Sequence, residues 1–171
     1  MFVVLPLLLA NMVHQMVVLR HNLFAFLAIP LDGGSTLRGK RIFGDHKTVR
    51  GIVVVSVLTA LCAVAFVPFV PFPYMIHPTL FGFVLGLAYM LGELPNSFAK
   101  RQFGIVPGED GVGNIGMLFF AIDHVDSVCA VAIALLVLVH TNPTTLAVLV
   151  LCGGILHYLV FNMLRALGYR K

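Results

Sequence analysis

Two stretches of this chain, residues 51–92 and 127–164, contain no Lys, Arg, Asp or Glu. Each is about forty residues long, twice the roughly 20 that cross a bilayer as a helix, so each is expected to cross, turn and return. The eleven Lys and Arg and seven Asp and Glu gather instead into patches at 20–50, 93–126 and 165–171. An apolar hairpin returns the chain to the side it left, so all three patches meet the same water. Ionic side chains collected on one face of a membrane suggest a site that joins a charged reactant to a lipid.

Composition agrees with a membrane protein: 60% of residues are hydrophobic and the mean hydropathy is +1.01, far above soluble domains. The expected fold is an all-α integral membrane protein with about five transmembrane helices, forming a single domain over residues 1–171. The first apolar segment, 2–19, has neither a cationic stretch before it nor a small-residue processing site after it, and reads as a retained helix. The other spans are expected near 52–70, 78–95, 124–140 and 144–164. Turns fall at Pro71-Phe72-Pro73 and Thr141-Asn142-Pro143, where proline ends helices.

Lys and Arg of short loops stay cytoplasmic. Here they agree on one side, which puts the N-terminus outside, the C-terminus inside and both long loops in the cytoplasm, as expected at the cell membrane. The formal net charge of +4 lies where anionic headgroups and nucleotides are. Residues 22–29 are too short to span and read as an interfacial segment. Cys62, Cys129 and Cys152 lie in apolar segments without C-x-x-C spacing, which indicates packing and neither a metal cluster nor a disulfide framework.

Chemistry-bearing residues concentrate in the two inner loops. In the first, Asp32-Gly33-Gly34 precedes Arg38, Lys40, Arg41, Gly44, Lys47, Thr48, Arg50 and Gly51. Glycines interleaved with cations let backbone N–H groups and side chains converge on phosphate oxygens. A plain topology anchor would show the same charge, but the glycine density and the Lys47-Thr48 pair favour phosphate binding. The second loop carries Glu93, Ser97, Lys100 and Arg101, then Glu109-Asp110, and closes on Asp123-His124-Val125-Asp126-Ser127. Asp123 and Asp126 are three apart and on one helix would share a face. Such a pair can hold Mg²⁺, which keeps waters and takes its remaining ligands from phosphates. Carboxylates at the mouth of a span are costly and usually functional, although a helix-end pair stabilised by the macrodipole, or a partner for Lys100 and Arg101, is the simpler alternative.

Other features invite blander readings. Gly111-Val112-Gly113-Asn114-Ile115-Gly116 fits G-x-G-x-x-G, but no strand precedes it, so a mobile loop is expected and not a dinucleotide site. Gly82 and Gly86 are expected to form a helix contact. Asn11, His14 and Gln15 form a polar stripe suited to interhelical hydrogen bonds, and His77, His140 and His157 read as isolated interfacial or packing residues.

At its two loops the chain resembles the CDP-archaeol synthases, a family of CTP-dependent lipid-phosphate cytidylyltransferases, and more distantly the phosphatidate cytidylyltransferases. Four ordered elements carry the resemblance: Asp32-Gly33-Gly34; Gly44-x-x-Lys47-Thr48-x-Arg50-Gly51; Ser97-x-x-Lys100-Arg101-x-x-Gly104 with Pro107-Gly108; and Asp123-x-x-Asp126. Gly92-Glu93 stands where the family typically has Gly-Asp, and His124 where it tends to have Gln.

The resemblance implies cytidylyl transfer from CTP to a membrane lipid phosphate of archaeol or phosphatidate type, with no nucleic acid as partner. Asp123 and Asp126 would hold the metal and, with Lys100 and Arg101, form the catalytic set. Asp32, Gly33, Gly34, Arg38, Arg41, Lys47, Thr48, Arg50, Glu93 and Ser97 would bind substrate. Two rivals fit less well. A CDP-alcohol phosphotransferase would continue after Asp126 through an Ala-Arg pair and further aspartates, whereas this chain runs into Val128-Cys129-Ala130. A small transporter or lipid permease would spread polar residues through the depth of its spans.

Overall fold

The structure is a computed structural model, and it describes residues 3–69, 75–109, 111–139 and 141–168. The turn expected at Pro71-Phe72-Pro73, together with Asp110, His140, Arg170 and Lys171, lies outside these residues. The described chain is mostly helical. Helix α1 (Val4–Val13) continues into a wider π-helical stretch, His14–Leu19. A short 3₁₀ turn (Ala25–Leu27) and a two-stranded ribbon, β1 (Thr36–Leu37) with β2 (Lys40–Arg41), follow. Then come α2 (Val49–Phe66), α3 (Pro78–Gln102), α4 (Gly113–Asp123), α5 (Asp126–Val139) and α6 (Pro143–Ala166).

Four helical segments are long and apolar enough to cross a membrane: α2, α3, the pair α4 and α5 taken together (Gly113–Val139), and α6; the first helix, Val4–Leu19, is apolar but shorter. Two boundaries differ from expectation. Helix α3 does not stop at Pro95 but runs on to Gln102. Proline removes one backbone donor, a defect that membrane helices tolerate where neighbours satisfy the freed carbonyl. The fourth segment begins at Gly113, so the second inner loop is much shorter than expected. The glycine-rich stretch there enters a helix and is no mobile loop. A side chain at Gly116 would collide with the Gly111 carbonyl, so the two backbones touch as the chain turns into α4.

The core forms where α2, α3 and α5 meet, around Val55, Phe81, Leu85, Val131 and Leu135, with Leu7 of α1 and Tyr89 of α3. Without a hydrophobic drive between helices in lipid, close approach requires small residues. A Cβ at Gly82 would lie 2.7 Å from the Thr59 carbonyl, and one at Gly86 2.7 Å from Ser56 Cα, so this pair sets α3 directly on α2 as expected. In the polar stripe of α1, Asn11 donates to the Tyr89 hydroxyl at 3.3 Å. His77 caps α3, its Nδ1 accepting from Thr79 N–H, and Asn142 caps α6 likewise, with Pro143 at the first helical position. Residues 22–29 do not span; they expose Phe24, Phe26 and Ile29.

Candidate active site

The C-terminal third of α3 carries Glu93, Asn96, Ser97 and Lys100, spaced i, i+3, i+4 and i+7, so the four share one helical face. Opposite that face α4 ends and α5 begins. Asp123 and Asp126 therefore belong to two helices and not to one, with His124 and Val125 forming the break. The break caps itself. The last carbonyls of a helix lack partners, and here the Phe120 carbonyl accepts from His124 Nδ1 at 2.7 Å.

The two carboxylates nevertheless converge. Asn96 Nδ2 donates to Asp123 Oδ1 at 2.6 Å and to Asp126 Oδ2 at 3.1 Å. Asp126 sits in the first turn of α5, where the dipole favours it, and accepts from Ser127 N–H at 2.6 Å. Asp123 is the last residue of α4, where the dipole opposes a carboxylate. The helix-end explanation thus suits Asp126 and fails for Asp123, which is offset instead by an ion pair with Lys100. Glu93 pairs with Lys47, and Ser127 Oγ links it to Asp126, at 3.4 Å from Glu93 Oε1 and 3.1 Å from Asp126 Oδ1. Close helix approach makes this possible: a Cβ at Gly92 would lie 2.5 Å from Ala130 Cβ and 3.0 Å from the Asp126 carbonyl.

Two cavities of about 490 and 420 Å³ open here and share His46, Lys47, Ser97, Asp123 and His157 in their walls. The larger adds Lys100, Arg101, Phe120, His124 and Phe161; the smaller adds Thr48, Arg50, Glu93 and Asp126. Within them Thr48 caps α2, accepting from Gly51 N–H at 3.3 Å. Arg50 donates to Asn22 Oδ1 at 2.8 Å, and Arg101, largely buried, donates to the Ile105 carbonyl. His157 is not isolated: its ring lies 5.5 Å from that of His124 and 6.2 Å from that of Tyr89.

Asp32, Gly33, Gly34, Arg38 and Arg41 line neither cavity. Asp32 is the knot that folds the first loop. Its buried carboxylate accepts from Arg41 Nη2 at 2.6 Å, Arg41 Nε at 3.2 Å, Gly44 N–H at 2.9 Å, Phe43 N–H at 3.0 Å and Gly34 N–H at 3.1 Å. The Arg41 guanidinium, with these backbone donors, holds the Asp32 carboxyl well below the usual range, and Arg41 is raised in return, chiefly by Asp32. The loop then docks on the second: Gly44, at φ +90°, leaves room for Pro107, whose Cγ would lie 2.7 Å from an added Cβ. Gly108 is pressed against His46 in the same way.

Asn96 escaped the sequence analysis because its segment read as loop, although the i+3 step from Glu93 and the i+4 step to Lys100 were there to find. Asn96, Arg101 and His124 each keep one buried polar atom without a hydrogen-bond partner: Oδ1, Nε and Nε2.

A sequence profile described as the cytidylyltransferase family matches residues 43–142, more than half of the chain, a range that includes Lys47, Glu93, Asn96, Lys100, Asp123 and Asp126. The chain belongs to the cytidylyltransferase family. It is similar to the CDP-archaeol synthase of Pyrococcus furiosus, 38% identical over 90 residues that cover 49% of this chain and 52% of that protein. It is also similar to the CDP-archaeol synthase of Saccharolobus solfataricus, 29% identical over 125 residues, 72% of this chain and 68% of the relative. That of Methanopyrus kandleri is 36% identical over 80 residues. The chain thus spans about half the length of the Pyrococcus relative. No solved structure matches it.

Proposed function

We propose that this chain transfers the cytidylyl group of CTP to a lipid phosphate at the membrane surface, giving a CDP-lipid and pyrophosphate. The observation that carries this reading is the meeting of Asp123 and Asp126, from separate helices, on Asn96, beside Lys47 and Lys100 of the larger cavity, all five within the family match. The names of the relatives make an archaeol-type phosphate the first acceptor to try, and a phosphatidate the second.

An oxygen of the lipid phosphate attacks the α-phosphorus of CTP; the new P–O bond forms as the bond to the β-phosphate bridging oxygen breaks, and that electron pair leaves with pyrophosphate. A phosphate monoester with a second pKa near 6 is already largely ionised at neutral pH, so the chain need supply no general base. Its task is positioning and charge stabilisation. Lys47, Lys100 and Arg101 would engage phosphate oxygens, with Arg50 at the rim and Ser97 as hydroxyl partner.

Among the described residues no three His, Cys, Asp or Glu side chains converge closely enough to enclose a metal ion. The donor set fits Mg²⁺ all the same. Asp123 and Asp126 bring two carboxylates together at the Asn96 amide nitrogen and would supply hard oxygens; phosphate and water would complete such a shell. Asp123 and Asp126 would hold the ion, which would supply neutralisation of charge across the phosphates. The one-sided Lys and Arg distribution supports a cytoplasmic cleft, where CTP is available.

Purified protein incubated with labelled CTP, Mg²⁺ and a panel of lipid phosphates should yield a labelled CDP-lipid. Asp123→Asn and Asp126→Asn should each nearly abolish turnover, and the double variant should be little worse than either, because parts of one unit are not additive. No labelled lipid from any acceptor would refute the transfer reading. Near-parent turnover in either Asn variant would refute the metal assignment.

A further inference from the structure

The hydrogen bond that closes α4 also fixes the chemistry of His124. A carbonyl oxygen only accepts, so Nδ1, 2.7 Å from the Phe120 carbonyl, carries the proton. In the neutral ring that leaves Nε2 as an acceptor. His124 is 8% exposed, and Nε2 is buried without a partner. The ring cannot easily turn away, because Phe120, Tyr158 and Phe161 crowd it with centroids at 4.5, 5.3 and 5.4 Å. A buried acceptor left unmatched is destabilising unless something supplies a donor.

The side chain lines the larger cavity together with Phe120, Phe161, Lys100 and Asp123. It therefore places one acceptor, covered in this structure, and flat apolar partners next to the groups assigned to phosphate and metal. We propose that His124 reads the nucleotide base: Nε2 accepts from the 4-amino group of cytosine, and Phe120 and Phe161 pack on the pyrimidine ring. This rests on the transfer reading above and adds to it the residue that sets base specificity. Uracil places the O4 acceptor where cytosine has its amino donor, so with uridine nucleotides two lone pairs would face each other. Base–aromatic packing holds the ring without distinguishing the two; in this proposal His124 does.

The test begins with the unaltered protein in Mg²⁺. Competition against labelled CTP is measured for UTP and for the triphosphate of the pyrimidin-2-one riboside, which is cytidine without its 4-amino group. Both should bind weaker than CTP by on the order of ten- to a hundred-fold, the usual cost of leaving a buried partner unmatched. His124→Phe should bring CTP and the pyrimidin-2-one nucleotide to parity in binding and turnover. His124→Gln, whose amide oxygen can accept in place of Nε2, should keep the preference. Pyrimidin-2-one nucleotide binding as tightly as CTP in the unaltered protein overturns the proposal whether or not the variants fold. So does a parent-like preference in His124→Phe. In either case CTP is still bound and turned over, and the transfer reading stands. Failure of the protein to bind any pyrimidine triphosphate removes that reading and this one together.

Discussion

Asp32 and Asp123 carry the same functional group in opposite settings. Asp32 is enclosed by five hydrogen bonds from Arg41 and three backbone amides, so it holds the first loop in shape. Because its folded pKa is depressed, the stability it contributes is present above the unfolded value of about 3.9 and is lost as pH falls through the folded value. Tryptic cleavage at Arg38 or Lys40 should accordingly be slow and flat from about pH 8 to pH 5. Below the ordinary carboxylate range the loop should loosen progressively as the pH is lowered, read as faster peptic cleavage within residues 36–43. At neutral pH, Asp32→Asn should speed that cleavage by on the order of tenfold or more, since it strands a partly buried guanidinium; unchanged cleavage would show that the ribbon closes without it. The sequence placed Asp32 correctly in a loop of glycines and cations. What it could not show is which way the carboxylate faces, since phosphate nests and self-capped loops use the same residues.

At the level of elements, the charge-free stretches revealed the helices and hid their continuations. Charged residues in 93–126 suggested loop, yet Glu93, Asn96, Ser97 and Lys100 line the end of α3, and 113–123 is helix α4. The break at His124 and Val125 was illegible because it depends on a side chain satisfying the Phe120 carbonyl, which no spacing announces. Gly92 is the hinge of this arrangement, since it lets α5 reach α3. Gly92→Ala favours the helix by about 1 kcal/mol in propensity but overpacks a contact, at a cost of about 1–3 kcal/mol. The expected result is a lower unfolding temperature in detergent and a fall in turnover greater than the fall in folded protein, because Asp126 moves with α5. Adding Ala130→Gly should restore part of both. Full activity in Gly92→Ala alone would mean that the separation of α3 and α5 does not position Asp126.

For the whole molecule, the distribution of charge predicts that both inner loops share one aqueous side. With the native thiols removed, Lys40→Cys and Val106→Cys should label only from the cytoplasmic face, since both positions are exposed; labelling of either from outside in intact cells would reverse the orientation. Helix α6 has few buried residues, Gly154 and Leu164, so most of its surface faces away from the other helices. The pairs Lys47 with Glu93 and Lys100 with Asp123 bear on how such a cleft meets the crowded anions of a cell. Each lysine has a tethered carboxylate competing for it at an effective concentration on the order of millimolar or higher. Dilute monovalent anions therefore leave both lysines with their own partners, whereas a polyphosphate that engages both gains a chelate advantage over anything that displaces only one.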